Sequence, residues 1–368
     1  MEDSYFSADY DTARRRFRES ARRLDADLVS HPVLARDHDS LTIDVVTVGP
    51  ETGPVVIISS GVHGVEGFLG SAIQLALLDQ LRAEKRLSAR YVLVHAVNPF
   101  GFAERRRFNE DGVDLNRNFL AGGEMYRGAA DAYRLFDSFL NPKSAPKREF
   151  FTAKCLWLIW RHGLDTLKQA VAQGQYEYPS GLFFGGHESS TSMEIVSEYC
   201  DRWLGVAQRA ILIDIHSGLG KFGGYKILVN ERPDSSTLSW YNSTFDEEAV
   251  ETLIEPDGTA YSASGLFTDW MNQRFADRDF RSIGLEFGTY NVIRVLAAIR
   301  AENRAHLYGD PNTKSYRSAK EELLECFCPR SATWRHRVVH AGMSVIAQAA
   351  DKLCSLGTSR AKRSVEVG

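Results

Sequence analysis

An apolar run over residues 55–58 ends in the turn Ser60-Gly61-Val62-His63-Gly64-Val65-Glu66-Gly67, and a helical pattern over 68–81 follows at once. Apolar residues stand at 69, 72, 73, 75, 76, 77 and 78 of that pattern, the spacing of a helix. A strand that ends in a Gly-rich turn and opens into a helix is where an α/β protein holds its ligands. This turn also holds a histidine and a glutamate three residues apart. Imidazole and carboxylate are common zinc ligands, and catalytic sites often combine two histidines with one glutamate. Taken alone, the pair reads as readily as solvated or helix-capping, so the rest of the chain decides.

The remaining pattern repeats the theme. Residues 41–48 alternate as a strand, and 91–97 form another that ends in the turn Asn98-Pro99-Phe100-Gly101. Further strands are expected at 210–215, 225–229 and 282–287, with helices at 11–26, 127–140, 150–172, 192–208 and 265–275 and mostly helix over 290–356. Strands alternating with helices predict an α/β fold: one domain, with a mixed, mostly parallel twisted sheet and helices on both faces. The expected organisation is an N-terminal helical extension over 1–40, a main α/β domain over 41–356 with a helical insertion at 127–208, and a frayed tail at 357–368. In the first helix Ala13, Phe17, Ala21 and Leu24 share a face and the arginines form a solvated one. Trp157 and Trp160 are expected to pack within their helix, and His95 and His187 to be core or loop residues.

Composition narrows the function class. At 368 residues the chain can bury a large core, and its 43% hydrophobic and 25% charged residues are those of an ordinary globular protein. A net charge of -4 argues against general binding to nucleic acid or an anionic membrane. No run of 18 apolar residues is present, so no membrane span is expected. The first 27 residues lack an apolar signal core, and the five cysteines have no framework spacing. The expectation is a cytoplasmic protein with free thiols and neither nucleic-acid nor membrane partners.

The loop over 102–123 has no periodicity but contains Arg107-Phe108-Asn109-Glu110-Asp111-Gly112-Val113-Asp114-Leu115-Asn116-Arg117-Asn118-Phe119, too specific in composition for a linker. Three expected strands end in polar turns, at His63/Glu66, at His216 and at Glu286. If parallel, their carboxyl ends converge and bring two histidines and a glutamate together for a zinc ion, with Glu286 as the candidate general base.

In this order, His63-x-x-Glu66, Asn116-Arg117, His216, Tyr261 and Glu286 resemble the zinc carboxypeptidase (carboxypeptidase A-like) family over roughly residues 41–290, and the segment GQYEYPSGLFFGG at 174–186 resembles an uncharacterised bacterial branch of it. Gly112 to Phe119 matches that family's substrate-carboxylate loop, and Tyr261-Ser262-Ala263-Ser264-Gly265 its mobile tyrosine segment. The resemblance implies one zinc per chain held by His63, Glu66 and His216, with Asp114 orienting His63. It implies Glu286 as the base acting on zinc-activated water, and Arg107 as the cation that polarises the scissile carbonyl. Asn116, Arg117 and Tyr261 would hold a terminal carboxylate, and Thr268 would form the base of the specificity pocket. The implied activity is a metallocarboxypeptidase-like hydrolase cleaving an amide or peptide bond beside a free carboxylate. His63-Gly64-Val65-Glu66 also resembles the N-acyl amino acid deacylases of the aspartoacylase and succinylglutamate desuccinylase group, so the partner is a small peptide or an N-acyl amino acid. A non-catalytic protein that binds carboxylate ligands is the third reading.

Overall fold

A computed structural model describes every residue except 1, 37, 148, 164–165, 168–169, 172, 255–262 and 366–368. Its frame is one mixed sheet of eight strands: β1 (Asp27–Pro32), β2 (Thr42–Val48), β3 (Val55–Ser60), β4 (Arg90–His95), β5 (Arg209–Ser217), β6 (Tyr225–Val229), β7 (Val250–Thr252) and β8 (Asp279–Phe287). They lie in the order β1-β2-β4-β3-β5-β8-β6-β7. The middle four, β4, β3, β5 and β8, run parallel, while β2 and β6 flank them antiparallel. Val55–Ser60 is buried at every position, as a central strand covered on both faces must be.

The two covering layers can be read from β1. Ser30 accepts from Arg18 of α1 (Tyr10–Arg23), while the ring of the next residue, His31, packs on Tyr199 of a later helix (Thr191–Leu204). Neighbouring strand residues point to opposite faces, so helices lie on both. α2 (Gly67–Ala83) covers the central strands, and its buried Gln74 donates to the carbonyls of Ile58 and Val94. Next come α3 (Pro99–Ala103), α4 (Asp131–Leu140), α5 (Phe151–His162) and α6, the Thr191–Leu204 helix already met. α7 (Ser236–Thr244), α8 (Phe267–Arg274), α9 (Val292–Tyr308), α10 (Lys314–Phe327) and α11 (Ala332–Val365) complete the chain. No helix among the described residues is long and apolar enough to cross a membrane.

Several expectations are corrected. Within 1–40 the chain is not only helical, because β1 joins the sheet edge beside β2. Arg18 is not solvated: its guanidinium bonds both oxygens of the buried Asp44, at 2.7 and 2.8 Å. The turn at 98–101 is the start of α3, with Pro99 in its first turn and Asn98 Oδ1 accepting from Gly101 N at 2.7 Å. α7 and β7 lie in a region without clear periodicity. Trp157 and Trp160 are exposed, at 51% and 82%.

The insertion carries its own small core. Tyr133, Phe136, Leu140, Phe151 and Cys155 pack with Val295, Leu296, Ile299 and Leu323 of α9 and α10. Glu149 pairs with Arg300 at 3.0 Å and also with Arg304, which pins the α4–α5 connection to α9.

One glycine fixes the approach of the metal-ligand turn to its neighbour. Gly64 N donates to Arg107 O and Val65 N to Arg106 O, which draws the turn against α3. A Cβ at Gly64 would stand 2.2 Å from the carbonyl carbon of Gly101. Gly64→Ala is expected to destabilise the protein by about 1–3 kcal/mol, as overpacking against backbone does. Gly122→Ala, where a Cβ would meet nothing within 4 Å, should change stability by less than about 0.5 kcal/mol. Urea denaturation of the two variants checks the contrast.

Candidate metal centre

The site forms at the carboxyl ends of three adjacent parallel strands. β3 leads into His63, β5 carries His216 and β8 carries Glu286, with His216 and Glu286 paired in register. A single 3-10 turn over Gly64–Glu66 then folds Glu66 back onto His63. His63, Glu66 and His216 are all buried, and each offers one ligand atom within 4.8 Å of the others.

The contacts assign which nitrogens face inward. His63 Nδ1 lies 3.0 Å from Glu66 Oε1, and His216 Nδ1 lies 2.9 Å from Glu66 Oε2. On the far side, His63 Nε2 meets Asp114 Oδ1 at 3.1 Å and His216 Nε2 meets Asp214 Oδ2 at 2.6 Å. Each imidazole therefore has a buried carboxylate behind it. A carboxylate at Nε2 favours a proton on that nitrogen and turns Nδ1 toward Glu66 as the atom that can ligate. Arg107 Nη2 also lies 2.7 Å from His63 Nε2, a hydrogen bond open only to the opposite tautomer.

Charge follows the same chain. Burial pushes the Glu66 carboxyl up, but His63 and His216 outweigh it and hold it at about 2. Burial likewise raises Asp114, and Arg107 with His63 brings it well below the usual carboxylate range. Burial lowers His216, yet Asp214 and Glu66 carry it well above an ordinary histidine. Glu286 behaves differently. Burial first and the neighbouring Glu66 second push it up to about 7, while its Oε1 accepts from Leu219 N at 2.8 Å. A carboxyl poised near neutrality beside a ligand set suits proton transfer.

The other expected residues gather around this core to different degrees. Arg107 is buried, with Nε on Asp114 Oδ2 at 2.8 Å, Nη1 3.8 Å from Glu66, and its guanidinium over the Phe183 ring. The preceding Arg106 is buried on Glu302 and Asn303 and supports the fold. Asn116 N donates to Asp114, but its side-chain oxygen accepts from Phe267 N and so caps α8. Arg117 is buried, its Nη1 on Asn116 O, and the Tyr176 hydroxyl donates to its carbonyl at 2.8 Å. Thr268 lies partly buried on α8 and takes part through its carbonyl, which accepts from Ser282. Tyr261 lies outside the described residues.

Sequence reasoning missed Asp214, which accepts from both His216 and Ser59 Oγ. The signal was available, since residues two apart on a strand share a face and Asp214-Ile215-His216 sits on β5. It also missed the loop over 174–186 as a support. Phe184 O accepts from Asp114 N, Tyr176 reaches Arg117, and Phe183 lies under Arg107.

The family model described as "Protein of unknown function (DUF2817)" matches residues 6–341. The chain belongs to the DUF2817 family. No curated protein matches it. Among solved structures, this DUF2817 chain is similar to carboxypeptidase A from Helicoverpa armigera, with 14% identity, 94% of this chain and 73% of that one covered, and a TM-score of 0.47. It is also similar to a metallo-carboxypeptidase from Pseudomonas aeruginosa, with 16% identity, coverage of 92% and 68%, and a TM-score of 0.45. A third likeness is bovine thrombin-activatable fibrinolysis inhibitor, with 12% identity, coverage of 92% and 98%, and a TM-score of 0.46.

If Asp214 holds His216 in its ligating tautomer, Asp214→Asn should weaken zinc affinity about 10–100-fold while leaving the fold intact. Zinc titration against a competing chelator measures it, and an unchanged affinity would remove Asp214 from the site.

Proposed function

We propose that this protein is a zinc-dependent hydrolase that cleaves an amide or peptide bond next to a free carboxylate. One observation carries the reading: two imidazoles, each backed by its own buried carboxylate, turn Nδ1 toward Glu66, beside a carboxyl raised to about 7. Two histidines and a glutamate are a donor set found in catalytic zinc sites. His63, Glu66 and His216 would hold the ion, about one per chain. When bound, zinc supplies Lewis acidity and makes water acidic enough to react near neutral pH.

The remaining roles belong to the chain. Glu286 takes a proton from the attacking water as its oxygen bonds to the carbonyl carbon. The same carboxyl returns that proton to the nitrogen as the C–N bond breaks, so the amine leaves neutral. Arg107 places a positive charge beside the ligand set, where the carbonyl oxygen gains negative charge. Asn116, Arg117 and Tyr261 are proposed to hold the substrate carboxylate, and the planar guanidinium of Arg117 suits that task. Thr268 is proposed at the base of the side-chain pocket.

Hydrolysis of N-acyl amino acids is the second reading, motivated by Gly64-Val65 between the first two ligands. The backbone of Gly101 gives Gly64 a packing reason of its own, so that glycine no longer favours the deacylase. A panel of short peptides and N-acyl amino acids decides, because turnover of peptides alone would reject the deacylase.

Glu286→Gln should keep the zinc and lose about 10²–10⁴-fold in kcat. A metal-stripped protein with full activity would sink the proposal. Glu286 must be ionised to act as base, so kcat/KM should fall on the acid side. The midpoint should lie between the ordinary 4.5 and about 7, because bound zinc opposes the upward shift. A pH–rate profile without an acid limb in that window would contradict the assignment.

A further inference from the structure

The outer face of α5 is apolar and basic at once. Phe150, just before the helix, is 84% exposed, and Leu156, Trp157 and Trp160 are 52%, 51% and 82% exposed. These positions share one side of the helix, while Phe151 and Cys155 on the other side are buried. The buried side is firmly held: the Phe151 ring stacks on Phe139 at 5.1 Å, and Arg300 lies over both rings. The helix therefore cannot roll its tryptophans inward without breaking that packing.

Charge selects what covers the face. Lys147, Lys154 and Arg161 are exposed around it, and no acidic residue stands between Phe150 and Gly163. The nearest acid before that run, Glu149, is already paired with Arg300 and Arg304. The net charge of -4 describes the whole chain, not this patch. A second copy fits poorly, because a two-fold contact would set Lys154 and Arg161 of both copies together, and α5 itself carries no acid to answer them. Aromatic and leucine side chains ringed by lysine and arginine are the composition of helices that lie in a lipid headgroup layer.

We propose that α5 docks this protein on an anionic lipid surface. Trp157, Trp160, Leu156 and Phe150 enter the headgroup layer, and Lys147, Lys154 and Arg161 face the lipid phosphates and carboxylates. The protein would be a peripheral guest, since none of its described helices spans a membrane. The proposal is independent of the zinc reading.

Flotation of the full chain with phosphatidylcholine vesicles, with and without phosphatidylserine, tests it. The protein should float with the phosphatidylserine vesicles, its tryptophan emission should shift to the blue, and added salt should release it. Trp157→Ser with Trp160→Ser should weaken binding about tenfold or more. Lys154→Glu with Arg161→Glu should abolish the preference for phosphatidylserine, and this pair keeps the test decisive if the tryptophan variant fails to fold. No flotation with phosphatidylserine vesicles, or equal flotation of a folded tryptophan variant, overturns the proposal. So does light scattering that finds a wild-type dimer turned monomer by the tryptophan changes, because a second copy would then cover the face.

Discussion

Carboxyl groups and imidazoles alternate in one buried chain of contacts: Asp114, His63, Glu66, His216, Asp214. Ionisable groups out of water are costly, and removing one partner of a buried charged set typically costs about 3–5 kcal/mol. The chain is stable because each end is tied down. Asp114 accepts from Arg107 and from Asn116 N, and Asp214 accepts from Ser59. Three carboxyl groups nevertheless crowd two imidazoles, and Arg107 reaches two of them, Asp114 and Glu66. A divalent cation held by His63, Glu66 and His216 would add positive charge among these carboxyl groups. The electrostatics of the cluster therefore agree with the ligand types in favouring the proposed zinc.

The sheet makes this chain possible. Parallel pairing of β3, β5 and β8 brings residues more than 200 positions apart in sequence to one edge, and the register sets Glu286 beside His216. Everything outside that edge acts as a brace. The 174–186 loop supports the Asp114–Arg117 segment through Phe184 O and Tyr176, and the α4–α5 part of the insertion leans on α9 and α10. The Glu149 pairing to Arg300 and Arg304 holds that support in place. The same bracing leaves the opposite side of α5 facing solvent.

Much of the site was legible because its residues sit at strand ends, where a change from apolar run to polar turn is visible in the sequence. His63, Glu66, His216 and Asp114 meet where the ordered motifs placed them. Asp214 was not read, because a lone acid in an apolar strand looks like an interruption until its i,i+2 partner is considered. Trp157 and Trp160 show a different limit. An amphipathic spacing identifies a face but does not say whether that face meets the core or the solvent. α3 shows a third, since Asn98 and Pro99 serve a turn and a helix start equally well, and only the continuing backbone bonds decide. β1 and β7 are short sheet-edge strands, and their pairing partners, not their own patterns, define them.

The central claim is that His63, Glu66 and His216 form a single zinc site. Elemental analysis of protein dialysed against zinc and then against buffer tests it most directly. The account predicts about one zinc per chain for the wild type, and almost none for a folded His216→Ala variant that has lost one of three ligands. A wild type that retains no zinc, or a variant that retains as much as the wild type, would contradict it.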